Sequence, residues 1–469
     1  MIKDRSKERV RAVTKSVLTY LEKNRDPLIE KLNAFLSIPS VSTNSIHKED
    51  VKKAANFVAD YLNEIGFDQV EIQQTKGHPL VYAEYNGAGK QAPTALFYGH
   101  YDVQPADPLE LWDSEPFQPE VRDGRLYARG ASDDKGQVFM HMAVFEAYMK
   151  TEGKLPINVK VCIEGEEEIG SENLYEILET KKQQFEADFA IISDSGMVAD
   201  GQPTILYGLK GFTGLEFTVK GPNRDLHSGM YGGAVRNPII SLSHLLHSLK
   251  NEEEQVTVEG FYDGVEDITE QERRFIADVP GEDYQKVTGI TETVSEKGYT
   301  AKEHTMARPT LEVNGVYGGY QGEGTKTIIP SSATAKLTCR LVPGQDPNHI
   351  QQLVIDHLQK HVPSGVTLEM KREPLSAKAY KVDPNHPLIE KAAKSYSRAF
   401  GKETVYVRMG GSIPVVEWIE SIYNIPIVLL GFGTPEDKLH SPNESFLLDN
   451  FNKGMETLVY YWEEVKNLK

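Results

Sequence analysis

The feature that most constrains this chain is an alternation of short β-rich runs with amphipathic helical stretches that breaks once and later resumes. Runs at 69–72, 80–85, 94–98, 157–163 and 189–192 are rich in Val, Ile, Phe and Tyr, and helical patterns at 136–149 and 172–182 fall between some of them. Ahead of them, 7–35 and 48–65 carry apolar residues at three- and four-residue spacing, as surface helices do. Strands alternating with helices predict a mostly parallel sheet covered on both faces, an α/β fold. Near 208–214 the pattern changes. A strand at 215–220, a helix at 238–249, a strand at 334–341, a helix at 347–361 and a strand at 367–371 suit the β-α-β-β-α-β order of a ferredoxin-like α+β sandwich. The charged stretch 251–308 then reads as an insertion with helices of its own. After 383–387 the first pattern returns, with helices at 388–400, at 413–420 and ending near Val465, and strands at 404–407 and 425–430. At 469 residues the chain is too long for one core. The expected organisation is an α/β domain in two segments, 1–210 and 385–469, with the α+β domain inserted at 211–384.

Charge and cysteine usage narrow the function classes. A formal net charge of −18 argues against nucleic acid, because phosphate backbones are held by clustered Lys and Arg. Residues 1–9 lack the apolar core of a signal peptide, and no run approaches the roughly 20 apolar residues of a membrane helix, so no membrane partner and a cytoplasmic protein are expected. Cys162 and Cys339 sit inside apolar β-like runs and read as buried, reduced thiols.

Several His, Asp and Glu residues stand where strands end. The run Leu96-Phe97-Tyr98-Gly99-His100-Tyr101-Asp102 closes an apolar strand with two polar residues that, two apart, project from one face. Asp102 could then hold the His100 ring while the other ring nitrogen binds a metal. In Ser132-Asp133-Asp134-Lys135-Gly136 an aspartate could cap the following helix or bridge two cations, and the residues alone leave both readings open. Glu164-Gly165-Glu166-Glu167-Glu168-Ile169-Gly170-Ser171 is either a solvated acidic turn or a set of carboxylates at the C-terminal edge of a parallel sheet, where α/β folds keep their ligands. Asp194 follows another strand, and His440 lies in a loop before the last helix. Singly each has a structural reading; together their number suits two metal ions.

These segments, in this order and over nearly the whole chain, resemble the M20 family of metallopeptidases, most closely its carnosinase-like and cytosolic nonspecific dipeptidase branch. The resemblance rests on Gly99-His100-Tyr101-Asp102, Asp133-Asp134-Lys135-Gly136, Glu167–Ser171, Asp194, Asp225-Leu226-His227-Ser228-Gly229, Arg340-Leu341-Val342-Pro343, Gly410-Gly411-Ser412-Ile413-Pro414 and His440-Ser441. It implies that Asp133 bridges two metals, that His100 and Asp194 complete one site and Glu168 and His440 the other, and that Asp102 and Glu167 are catalytic, Glu167 as general base. A cis peptide between Asp133 and Asp134 is also implied. Glu166 departs from the pattern, since relatives commonly carry an uncharged residue there. The inserted domain becomes a lid and dimerisation domain, in which His227 donates to the developing oxyanion, from the partner subunit of a homodimer. Arg340 would bind the substrate carboxylate with Thr327, Gly411 and Ser412.

The implied function is two-metal hydrolysis of short peptides, most of all dipeptides, with deacylation of N-acyl amino acids as the alternative and an inactive metal-binding relative as a remoter one. Nitrogen and oxygen ligands without thiolate suit Zn²⁺ or Mn²⁺, with Co²⁺ also possible. There is no His-Glu-x-x-His helix and no Gly-x-Ser-x-Gly elbow, and Thr325 stands where a phosphate loop needs Lys.

Overall fold

Four apolar runs lie side by side as parallel strands at the centre of the largest sheet. Thr94–His100 sits between Asn158–Glu164 and Phe189–Ile192, and Ile427–Leu429 adds to the far side of Phe189–Ile192. Phe97, Tyr98, Val161, Ile163, Ile191 and Ile192 are all buried, as near-continuous apolar runs in a doubly covered sheet should be. Antiparallel strands flank this centre: Leu80–Tyr85 and then Gln69–Gln73 on one side, Thr204–Leu209 on the other. The computed structural model describes residues 2–281, 284–411 and 413–468.

Helix Lys135–Glu152 is buried along most of its length, consistent with an apolar pattern that runs all round it rather than along one stripe. It packs on Thr94–His100 and against helices Ile2–Lys23, Lys48–Ile65 and Leu448–Val465. Gly153 ends it at φ 69°, a left-handed conformation that only glycine adopts without steric cost. Because the central strands are parallel, the loops after His100, Glu164 and Ile192 all leave from one edge of the sheet.

The chain divides into two compact units. The first comprises Met1–Tyr207, Val382–Tyr406 and Trp418–Lys469; the second comprises Gly208–Lys381 and Val407–Glu417. The segment Val407–Glu417, expected within the α/β domain, thus groups with the inserted one. The reason is local bonding: the Lys210 backbone N–H donates to the Met409 carbonyl over 3.0 Å, and Arg408 lies 3.5 Å from Glu272.

The second unit carries a four-stranded antiparallel sheet in the order Thr310–Gly318, Ser332–Leu341, Gly211–Lys220, Thr367–Arg372, which is the ferredoxin-like arrangement. Ala333, Ala335, Leu337, Cys339 and Leu341 alternate onto the buried face, in one core with Leu242 and Leu245 of helix Pro238–His247 and Val354 and Leu358 of helix Pro347–His361. Both helices start with a capping side chain before Pro, Asn237 accepting from Ile239 N and Asp346 from His349 N. The strand Thr310–Gly318 escaped the sequence reading because it lies at an edge and buries only Leu311 fully. Among the described residues, no helix is long and apolar enough to cross a membrane.

Candidate metal centre

Each polar residue at the strand ends is aimed by what precedes it. His100 is the last residue of its strand and is fully buried. Its Nδ1 lies 3.0 Å from the Asp102 carbonyl and 3.4 Å from Asp102 Oδ1, so that nitrogen is committed to Asp102. Nε2 faces the carboxylates, 3.1 Å from Asp133 Oδ1 and 3.9 Å from Asp194 Oδ2. The other Asp133 oxygen, Oδ2, lies 3.0 Å from His440 Nε2, which is 3.3 Å from Glu168 Oε2. One ligand atom each from His100, Asp133 and Asp194 falls within 4.8 Å of the others, and the same holds for Asp133, Glu168 and His440. The two triads share Asp133 and lie wholly in the first unit. Imidazole nitrogens and carboxylate oxygens, with no thiolate, fit two divalent cations.

Other groups hold these ligands in place. The Asp102 carboxylate accepts from the backbone N–H of Glu167 at 3.2 Å and of Glu168 at 3.1 Å, joining the strand end to the acidic turn. Asp134 occupies the first position before helix Lys135–Glu152, yet its side chain makes no cap there and accepts instead from His100 N at 3.3 Å. The Asp133–Asp134 peptide is cis. Glu166 is buried with its carboxylate committed to His78 N at 2.9 Å and Asn173 Nδ2 at 2.8 Å. It therefore clasps a neighbouring loop. The sequence alone does not single out Gln104, Arg129, Asp437 or Glu444. All four act on the ligand loops through contacts between distant segments, for which the sequence has no period or spacing signal.

The cluster is electrostatically polarised. Burial works against a charged Asp133, but hydrogen bonds with His100 and His440 outweigh it and hold the carboxyl below the usual range. Burial pushes Asp194 up to about 7 and Glu167 well above an ordinary carboxyl, with Asp194 adding to the latter. Hydrogen bonds with Asp133 and Glu168 raise His440 to about 10.

The remaining candidates lie in the second unit. His227 ends the short strand Leu226–His227, paired with Ile328–Ile329, and the carbonyl of the adjoining Thr327 accepts from Ser228 N at 3.0 Å. His227 Nδ1 accepts from Gly229 N at 3.0 Å, so in the neutral ring the proton sits on Nε2, and the ring is exposed. Arg340 stacks over Phe212 on the face of its strand opposite Leu337, Cys339 and Leu341. Gly411 is half-buried in the segment that joined this unit. Ser412 lies outside the described residues.

Comparison with known proteins makes the chain a metallopeptidase. It belongs to peptidase family M20/M25/M40, whose model matches residues 96–464. It is 31% identical over 465 residues to the Cys-Gly metallodipeptidase dug1 of Schizosaccharomyces pombe, spanning 96% of this chain and 97% of that protein. To the human Beta-Ala-His dipeptidase it is 30% identical over 482 residues, 97% of this chain and 94% of the relative. Among solved structures, the M20 family metallo-carboxypeptidase Sso-CP2 from Sulfolobus solfataricus superposes with a TM-score of 0.81 at 32% identity, covering 94% of this chain and all of that one.

Proposed function

We propose that this protein hydrolyses dipeptides at the paired triads around Asp133. The observation that carries the reading is that each oxygen of Asp133 faces a different imidazole, His100 at 3.1 Å and His440 at 3.0 Å, so one carboxylate serves two cation sites. Support for the substrate class comes from the relatives, whose names specify Cys-Gly and Beta-Ala-His dipeptides.

Two divalent cations, when bound, would lower the pKa of a water between them and polarise the scissile carbonyl. The chain's own residues do the rest. Asp102 keeps the His100 ring oriented, with Nε2 free to ligate. Glu167 takes the proton from the attacking water and returns it to the leaving nitrogen, a role suited to a carboxyl whose proton affinity is raised. His227 donates from Nε2 to the carbonyl oxygen as negative charge develops on it. Arg340, with Thr327, Gly411 and Ser412, holds the substrate carboxylate, where a guanidinium fork matches two oxygens.

The reading extends to zinc or manganese as the cations and to a homodimer formed through the second unit, which exposes Met230, Ile240, Val316 and Tyr317. Two buried free thiols, one in each unit, accord with a cytoplasmic setting. The direct test is the Glu167→Ala variant, assayed on a panel of Xaa-Gly dipeptides beside N-acetyl amino acids. We expect wild type to prefer the dipeptides, and the variant to bind two ions per chain yet lose turnover by at least about a hundredfold. Full activity in the variant, or preference for the acylated substrates, overturns the reading.

A further inference from the structure

Glu444 supplies no atom to either triad, yet it is fully buried, and its carboxylate accepts hydrogen bonds from four donors beside them. Oε2 accepts from Arg129 Nη1 at 2.7 Å and Gly130 N at 3.0 Å; Oε1 accepts from Ser132 N at 3.0 Å and Asp133 N at 3.1 Å. The last of these donors is the backbone of the shared ligand itself. Glu444 thus fastens the loop that carries His440 to the loop that carries Asp133.

The loop between needs such a fastening. Lys438, His440 and Asn443 adopt left-handed φ values of 58°, 59° and 62°, which a residue with a Cβ keeps only where its surroundings over-determine it. Asp437 pins the near end, accepting from Ser132 Oγ at 2.8 Å, Thr434 N at 2.9 Å and Arg125 Nη1 at 2.6 Å. Glu444 pins the far end. Both anchors reach Ser132, the residue before Asp133.

We infer that Glu444 is a positioning residue that sets the separation of His440 from Asp133, and so allows the shared carboxylate to serve two cations at once. The inference rests on the two-cation reading above. Its chemistry requires a carboxylate: four donors converge on it, and a glutamine in its place would turn an NH₂ donor toward either the Arg129 and Gly130 donors or the Ser132 and Asp133 donors. Aspartate would keep the charge opposite buried Arg129 but lack the reach to serve both pairs.

The test is cation binding to Glu444→Gln and Glu444→Asp, with Glu146→Gln as control. Glu146 is a buried carboxylate of the same unit bound to Lys31, Tyr20 and Tyr61, away from the triads. Chelator-treated full-length protein is titrated with Mn²⁺, the bound ions are counted, and the electron paramagnetic resonance of the loaded protein is recorded, since two Mn²⁺ sharing a carboxylate give an exchange-coupled spectrum. Wild type and Glu146→Gln should bind two ions per chain with the coupled spectrum. The Glu444 variants should bind one of the ions roughly 10- to 100-fold more weakly and give the uncoupled spectrum at concentrations that saturate wild type. Two tight, coupled ions in both Glu444 variants overturn the inference, as does failure of both to fold while Glu146→Gln folds. A wild type that does not bind two ions overturns instead the reading beneath it.

Discussion

Gln104 Nε2 donates to Glu168 Oε2 over 2.8 Å, the same oxygen that lies 3.3 Å from His440 Nε2. The amide therefore fixes the rotamer of a carboxylate that faces the shared cluster, and it does so from the segment just beyond the His100 strand.

Truncating that amide should cost affinity rather than fold. Gln104→Ala is expected to weaken cation binding at the Glu168–His440 side about 10- to 100-fold, with a matching fall in kcat/KM at limiting metal that excess metal restores. Metal titration of the variant beside wild type checks it. Unchanged affinity would mean that Glu168 holds its orientation unaided.

Arg340 should act on binding more than on chemistry. Arg340→Ala is expected to raise KM for dipeptides about 30- to 100-fold, equivalent to roughly 2–3 kcal/mol for a charge-assisted pair, with a much smaller change in kcat. Dipeptide amides, which lack the carboxylate, should be cleaved at similar rates by wild type and variant. A large loss on the amides as well would place Arg340 elsewhere in the reaction.

Glu164 should make stability fall as pH rises. Burial lifts its carboxyl from 4.5 to about 8, although Tyr98 and Ser171 donate to it. The native state thus retains a proton that the unfolded chain has given up between these values. The contribution is complete below about pH 4.5 and is lost as pH climbs through 8, a difference on the order of a few kcal/mol. Glu164→Gln should remove this slope. Urea midpoints of both proteins from pH 5 to 8.5 measure it, and parallel curves would refute the assignment.

Removing cations should lower thermal stability. The carboxylates of Asp133, Asp194 and Glu168 crowd together, and burial and mutual repulsion raise Asp194 to about 7 against the pull of His100 and His440. Any ion that binds only the folded state stabilises it by mass action, about 2.7 kcal/mol at a concentration of 100 Kd. Scanning calorimetry with chelator and then with graded Zn²⁺ or Mn²⁺ should show Tm rising with metal. A Tm indifferent to metal would contradict binding at these triads.

Much of this molecule was legible in one dimension because its signals are local. The helix at 48–65 and the strands at 80–85 and 189–192 match the structure to the residue, the helix through its three- and four-residue apolar spacing and the strands as short apolar runs rich in β-branched and aromatic residues. The β-α-β-β-α-β order was readable although one strand, Thr310–Gly318, had no apolar period to betray it. His100, Glu168 and Asp194 stood out because they closely follow apolar runs that end at a sheet edge; Asp133 and His440 follow no such run, and the assignment of all five as ligands came from the family resemblance.

What the sequence alone determined was most of the larger elements and the chemical kinds of side chain at their ends, because hydrogen-bonding period and burial are written into neighbouring residues. Only the tertiary structure decided which of those groups meet. It turned Glu166 toward His78 and Asn173, drew Val407–Glu417 into the second unit, and joined Glu444 to Arg129 across 315 positions of chain. Such contacts depend on how buried polar groups find partners once distant segments pack. No spacing along the chain records that.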